Sequence, residues 1–315
     1  MPAQIDLKLN IELWWKVNFP ETPFKSLVEF IAGQSHPCFL INSDCVLKIY
    51  FEGEHFATAS HFQAVLISSG LVPKLLRVFP DDNFLGADAI LMEFIQGQDL
   101  SKSLITASEI QKFDTGKQIG SILKTVHNTD AKTDQSFDTK ELFTIAQDNL
   151  KKAQSMAFMP KHIYDLANQF IINYTPKIII EDRVIVHGDA HPENFIQQKS
   201  KLFLIDWDIA SMGMRIYETR MLLHMALMPA NLVAQELEQY YPEGSLVTLL
   251  KGILEVYPEI LPAKYLPEIK LIALAEILGH FDLDDSIKNK VTPVRRASYM
   301  FEQIFIDDIL EFILK

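Results

Sequence analysis

The residues best suited to chemistry lie between Arg183 and Asp208, in RVIVHGDAHPENFIQQKSKLFLIDWD. Asp189, Asn194 and Asp206 set an amide between two carboxylates. One carboxylate can accept a proton from a hydroxyl, while an amide oxygen and a second carboxylate suit a hard divalent cation. The histidines offer a different chemistry. On an extended segment His187, Asp189 and His191 share one face, and such a set can ligate zinc or another transition metal. A metal-dependent hydrolase is therefore the competing class. Gly188 and Pro192 argue for a loop at that point, and a hydrolase leaves the sequence IDWD unexplained.

The flanking apolar runs say what must position these groups. Val184 to Val186 reads as a strand that breaks into the polar cluster. Phe195 to Gln197 and Leu202 to Ile205 read as a β-hairpin around the polar turn Gln198 to Lys201, returning the second acid toward the first. In protein kinases a loop H-R-D-x-x-x-x-N is followed by a metal-binding acid on the next hairpin. His187, Gly188, Asp189 and Asn194 are the corresponding letters here, with Asp206 in the later position. Gly in place of Arg, the pair His191-Pro192 and the run IDWD resemble the aminoglycoside phosphotransferase and choline kinase family. Those small-molecule kinases have a protein-kinase-like fold and phosphorylate hydroxyls. The resemblance implies Asp189 as catalytic base or hydroxyl-orienting group. It also implies Asn194 and Asp206 as Mg²⁺ ligands with Asp208 as an auxiliary, and ATP or GTP as phosphoryl donor.

Composition bounds the alternatives. A net charge of −12 argues against a nucleic-acid partner and permits a cationic substrate. No apolar run is long enough for a membrane span, since Glu276 interrupts the best candidate. The start of the chain lacks a basic segment followed by an apolar block, and Cys38 and Cys45 fit no metal spacing, so a cytoplasmic setting is expected. The two cysteines are expected to pack in neighbouring strands.

Along the chain, Trp14 and Trp15 mark a short N-terminal helix. Strands follow at Leu27 to Ala32, Cys38 to Ile41 and Cys45 to Phe51, with Asn42-Ser43-Asp44 as a turn. The resemblance lays the joint Gly33-Gln34-Ser35-His36 over the nucleotide phosphates and makes Lys48, alone in the apolar run VLKIY, the lysine that grips them. That lysine would be held by a Glu on the next helix, expected over Glu54 to Ser69. Glu54 is the best available partner and Glu52 the next. Strands at Leu71 to Phe79 and Ala89 to Phe94 lead into ILMEFIQGQDL, which resembles the family's hinge. Met92 would face the adenine pocket, and the backbone of Glu93 and Ile95 would bond the base.

After Gly97 the pattern is helical. Ile119, Ile122, Leu123 and Val126 share one face of a helix over Ser108 to Asn128, and its end resembles a family helix whose histidine, here His127, supports the catalytic loop. Helices are expected at Thr139 to Met156, Lys161 to Tyr174, Glu218 to Met228, Asn231 to Tyr240, Ser245 to Val256, Lys264 to Phe281 and Pro293 to Leu314. The resemblance also implies that Glu218, in ASMGMRIYETR, takes the place of a later family acid that ties this segment back to the loop. Asp282, Asp284 and Asp285, and Asp307 with Glu311, are acidic positions that could face a substrate. The expected class is thus α+β, a two-lobed protein-kinase-like fold. A nucleotide-binding lobe with a small antiparallel sheet would span residues 1–96, and a mainly helical catalytic and substrate-binding lobe residues 97–315. The expected partners are a nucleotide and a small hydroxyl acceptor, plausible classes being an aminoglycoside-like amine or a choline-type amino alcohol. A non-catalytic nucleotide-binding module is the remaining alternative.

Overall fold

The computed structural model describes residues 7–30, 36–51, 53–130, 137–155, 160–179, 183–220 and 245–279. Gly33, Ser35, Glu52, the helical patterns beyond Arg220 at 221–244 and 293–314, and the acids Asp282, Asp284, Asp285, Asp307 and Glu311 lie outside them, as does the side chain of Glu54. Contacts gather Met1–Gly97 with Ile196–Ala210 into one compact unit, and Gln98–Phe195 with Ser211–Lys315 into a second.

The first unit begins with helix α1 (Leu7–Asn18), which buries Ile11, Trp14 and Trp15 on one stripe. Trp14 sits edge-on to Phe79 with ring centroids 4.8 Å apart, and its Nε1–H donates to Asp82 at 3.0 Å. Strands β1 (Leu27–Phe30), β2 (Cys38–Ile41), β3 (Cys45–Tyr50), β4 (Leu75–Asp82) and β5 (Ala87–Glu93) form an antiparallel sheet ordered β1-β2-β3-β5-β4. Asn42 and Ser43 turn the chain from β2 to β3 at φ 53° and 61°, a conformation that asparagine tolerates well. The Asn42 amide also accepts from Lys25 N–H at 2.7 Å, which fixes the turn against the approach to β1. Alternation along β3 buries Leu47 and Ile49 on one face and sends Lys48 and Tyr50 to the other. Cys38 and Cys45 are free, buried thiols on adjacent strands.

Helix α2 (Gly53–Leu66) packs Ala59, Phe62 and Leu66 inward. Strand β4 starts four residues later than its hydropathy suggests, because the carbonyls of Leu71 and Pro73 are committed elsewhere. The Leu71 carbonyl accepts from Leu204 N–H at 2.8 Å, and the Pro73 carbonyl accepts from the Gln63 amide at 3.0 Å. At its far end β4 runs on past Pro80 through a register irregularity between Phe79 and Asp82. That is tolerated because β4 is an edge strand. The hairpin strands Phe195–Gln198 and Lys201–Leu204 turn at Lys199, φ 56°.

The second unit is mainly helical: α3 (Leu100–Ile105), α4 (Glu109–His127), α5 (Thr139–Ser155), α6 (Lys161–Asn173), α7 (Ser245–Val256) and α8 (Leu266–Gly279). A capping box between Ser108 and Gln111 starts α4, satisfying donors that would otherwise be orphaned. Gly116 lets α4 cross α7 at close range, since a Cβ there would come within 2.1 Å of the Leu249 carbonyl. Two short strands, β6 (Arg183–Val186) and β7 (Ser211–Met214), pair antiparallel with Val186 opposite Ser211. No helix among the described residues is long and apolar enough to cross a membrane.

Candidate active site

In the helical unit, β6 delivers the loop that carries Asp189. Its three residues Val184 to Val186 are buried, so the polar cluster starts from a fixed base. Gly188 takes φ 80°, where any side chain is strained. The loop is then gripped from two sides. Glu218, fully buried, accepts from His187 N–H at 2.7 Å and from Gly188 N–H at 3.1 Å. Arg220 Nε–H donates to the Gly188 carbonyl at 2.6 Å. Burial pushes the Glu218 carboxyl upward, but His127, His187 and the backbone donors outweigh it and hold it below its ordinary pKa.

His127 links this acid to the helices. Its Nε2 lies 3.3 Å from Glu218, and its Nδ1 lies 2.7 Å from the Tyr257 hydroxyl. Arg215 donates to that hydroxyl at 2.6 Å. An arginine can only donate, so the hydroxyl hydrogen is free for Nδ1, and Nε2 faces Glu218.

Asp189 itself is a little under one-third exposed, at 31% of its side chain. The Asn194 Nδ2 group donates to its backbone carbonyl at 2.8 Å and to its carboxylate at 3.1 Å. Two acceptors on one side fix the amide orientation, which turns Asn194 Oδ1 the other way. His191 Nε2 stands 3.4 Å from the same carboxylate. Burial raises the Asp189 pKa, yet His191, His187 and Arg220 together bring it below the ordinary value. Asp189 is therefore a carboxylate at neutral pH, able to accept a hydrogen bond from a hydroxyl.

The histidines do not form the shared metal-binding face that a hydrolase needs. His187 is wholly buried and its Nδ1 accepts the Asp189 N–H at 3.2 Å, a bond inside the turn. The left-handed Gly188 breaks the extended alternation that would have aligned the three residues. Among the described residues no cluster of His, Cys, Asp and Glu is arranged to hold a metal ion by itself.

In the sheet unit, the run IDWD follows the hairpin. Trp207 is buried and its Nε1–H donates to the Leu204 carbonyl at 3.2 Å. The acids on either side of it both reach Lys48, with Nζ 2.7 Å from Asp206 Oδ1 and 2.7 Å from Asp208 Oδ2. Asp206 has φ 64°, an uncommon conformation that aspartate tolerates. Burial opposes the charge on Lys48, but Asp206 and Asp208 outweigh it and raise its pKa. Tyr50, two residues along the same face of β3, donates its hydroxyl to Asp208 at 3.0 Å. His36 packs on Tyr50 with centroids 4.6 Å apart. Burial lowers the His36 pKa against the pull of Asp208, so the ring adds no second cation there at neutral pH.

At the end of β5, Met92 is half-buried and lies against the Gln63 amide, 3.7 Å from its sulfur. Glu93 N–H is taken by the Lys74 carbonyl at 2.9 Å, and Ile95 is buried. Gly33 and Ser35 lie outside the described residues, and so does the side chain of Glu54. Sequence reasoning passed over Tyr50 and Arg220. Their signals were their spacing, Tyr50 on the lysine's face of β3 and Arg220 just past Glu218.

Residues 26–246 match the phosphotransferase enzyme family (APH), and the chain belongs to that family. Its class is that of a phosphotransferase. Among solved structures it is similar to the GDP complex of aminoglycoside 2'-phosphotransferase-IIIa, with TM-score 0.64 and 13% identity over 96% of this chain and 99% of that one. Aminoglycoside phosphotransferase APH(4)-Ia gives TM-score 0.61 at 12% identity, covering 94% of this chain and 98% of that one. ADP-bound APH(2'')-Ib gives 0.57 at 16% identity, covering 94% and 99%. These likenesses show the protein-kinase-like α+β fold. No curated protein sequence matches the chain.

Proposed function

We propose that this enzyme moves the γ-phosphoryl group of ATP or GTP to a hydroxyl of an amine-bearing small molecule of the aminoglycoside kind. The observation that carries the reading is Asp189: an ionised, partly exposed carboxylate held in place by Asn194 on a loop braced by Glu218. Such a group orients an acceptor hydroxyl and takes its proton. Lys48 would grip the nucleotide phosphates. The Glu93 carbonyl, whose N–H is already engaged, and the backbone of Ile95 would meet the base beside Met92.

The donor set fits Mg²⁺. The Asp206 carboxylate is 43% exposed, and Asn194 Oδ1 is turned away from Asp189; both are the hard oxygen ligands this ion prefers. When bound, the ion would neutralise charge on the phosphates. The net charge of −12 and the kinship in fold with aminoglycoside phosphotransferases support an amine-bearing acceptor.

Nucleoside diphosphate release, measured over aminoglycosides, other hydroxylated antibiotics, choline and amino alcohols, tests this. Turnover of an aminoglycoside, falling as salt screens the charges, is the expected result. Turnover of choline or an amino alcohol alone moves the acceptor to the metabolite class. Nucleotide binding with no turnover of any acceptor favours a non-catalytic module.

A further inference from the structure

A lysine that grips phosphates has a long flexible stem, and its ammonium must be held where the ligand arrives. Helix α2, GEHFATASHFQAVL, has Glu54 near its start and no acid beyond it. Lys48 meets its acids elsewhere, on Asp206 and Asp208, at the same distance of 2.7 Å. Their settings are unequal. The Asp206 side chain is 43% exposed and that of Asp208 13%. Both Asp208 oxygens are spent on protein donors, Oδ2 on Lys48 and Oδ1 on the Tyr50 hydroxyl at 3.0 Å. Its backbone carbonyl lies 3.1 Å from His55 Nδ1, which ties it to α2. Lys48 and Tyr50 extend from one face of β3, so the strand and the acid lock each other. A Mg²⁺ ligand needs free lone pairs and space for the ion's own waters, and the enclosure of Asp208 opposes both.

We propose that Asp208 is the positioning residue of Lys48, the fixed acid against which the lysine is aimed, and that it is not a metal ligand. Asp206, the open acid, is left to take the metal. This rests on the phosphotransferase reading above and assigns the two acids of IDWD different tasks. It also gives Tyr50 and His55 a purpose, since both hold Asp208.

The test uses the full chain and calorimetry with the β,γ-imido analogues of ATP and GTP across a Mg²⁺ series. Asp208→Asn is expected to weaken nucleotide binding about tenfold, the worth of one charge-assisted hydrogen bond. The Mg²⁺ concentration for half-maximal binding should stay where it is. Asp206→Asn should raise that concentration. Lys48→Met with Asp208→Asn should bind no worse than Lys48→Met alone, as two residues acting through one contact are non-additive. If Asp208→Asn fails to fold, Tyr50→Phe serves instead: it keeps both charges, and it should weaken binding about threefold with no change in Mg²⁺ requirement. A shift in Mg²⁺ requirement in Asp208→Asn or Tyr50→Phe, or unaltered affinity in both, overturns the proposal. A wild-type protein that binds neither analogue sinks the phosphotransferase reading itself, which a failure confined to the variants does not.

Discussion

Glu218 in the helical unit and Asp208 in the sheet unit are both enclosed acids, yet their partners differ in kind. Glu218 receives two backbone N–H groups, from His187 and Gly188, so it holds the path of the chain itself. Asp208 receives a lysine and a tyrosine, so it holds side chains whose stems can still adjust. A backbone anchor suits a loop that must present Asp189 in one place. A side-chain anchor suits a cation carried on a long flexible stem, such as Lys48.

The sharpest way to break that comparison is at the two acids given separate tasks, Asp189 beside the first anchor and Asp206 beside the second. Asp189→Ala should lower kcat by about 10²–10⁴-fold, the usual worth of a general base, and leave Mg·nucleotide affinity nearly unchanged. Asp206→Ala should weaken affinity and turnover together. Steady-state kinetics beside calorimetry measures both, and loss of nucleotide binding in Asp189→Ala alone would reverse the assigned roles.

Next in size is the anchor of the loop. Glu218→Gln leaves one of two buried N–H groups facing an amide donor, and should cost about 3 kcal/mol of stability. The sign of its pH dependence follows from the depressed pKa of Glu218. A carboxylate whose folded pKa lies below its unfolded value, about 4.3, stabilises above that value and loses the contribution as pH falls through the folded one. Denaturant melts should therefore show wild type and Glu218→Gln well apart at neutral pH and converging in acid. A constant gap would mean that the charge on Glu218 contributes nothing.

The smallest effect tests the loop's backbone. Gly188→Ala puts a Cβ at φ 80° and should destabilise by about 1–2 kcal/mol. Turnover should fall more than nucleotide affinity, because only the Asp189 side of the comparison is disturbed. Equal losses in the two would show that the loop also serves the nucleotide.

Much of this was legible from residue order because it is local. Strands β2 and β6, helix α4 with its flanking Ser108 and Asn128, and the Asn42-Ser43 turn follow from alternation, capping and turn chemistry over a few residues. The bracing of the loop by Glu218 was expected from the family resemblance, in which a later acid ties this segment back to the loop. What escaped was long-range. A search for the partner of Lys48 naturally turns to the next helix, whereas the acids that meet it lie 158 and 160 residues away. Strand β7, SMGM, has no β-branched residue and pairs only because β6 offers it an edge. The start of β4 was misplaced for a similar reason, since the Leu71 and Pro73 carbonyls are claimed by distant donors.

That separation of 158 residues between Lys48 and Asp206 has a consequence during synthesis. A ribosome adding about 5–20 residues per second makes Lys48 roughly 8–30 s before the first of its counter-charges exists. Through that interval an ammonium group points from the central face of β3 with neither IDWD acid to neutralise it, and the Leu71 carbonyl has no Leu204 N–H. Until residue 208 is made, strands β1 to β5 lack these contacts. The sheet unit is complete only once a short hairpin encoded two-thirds of the way along has been made.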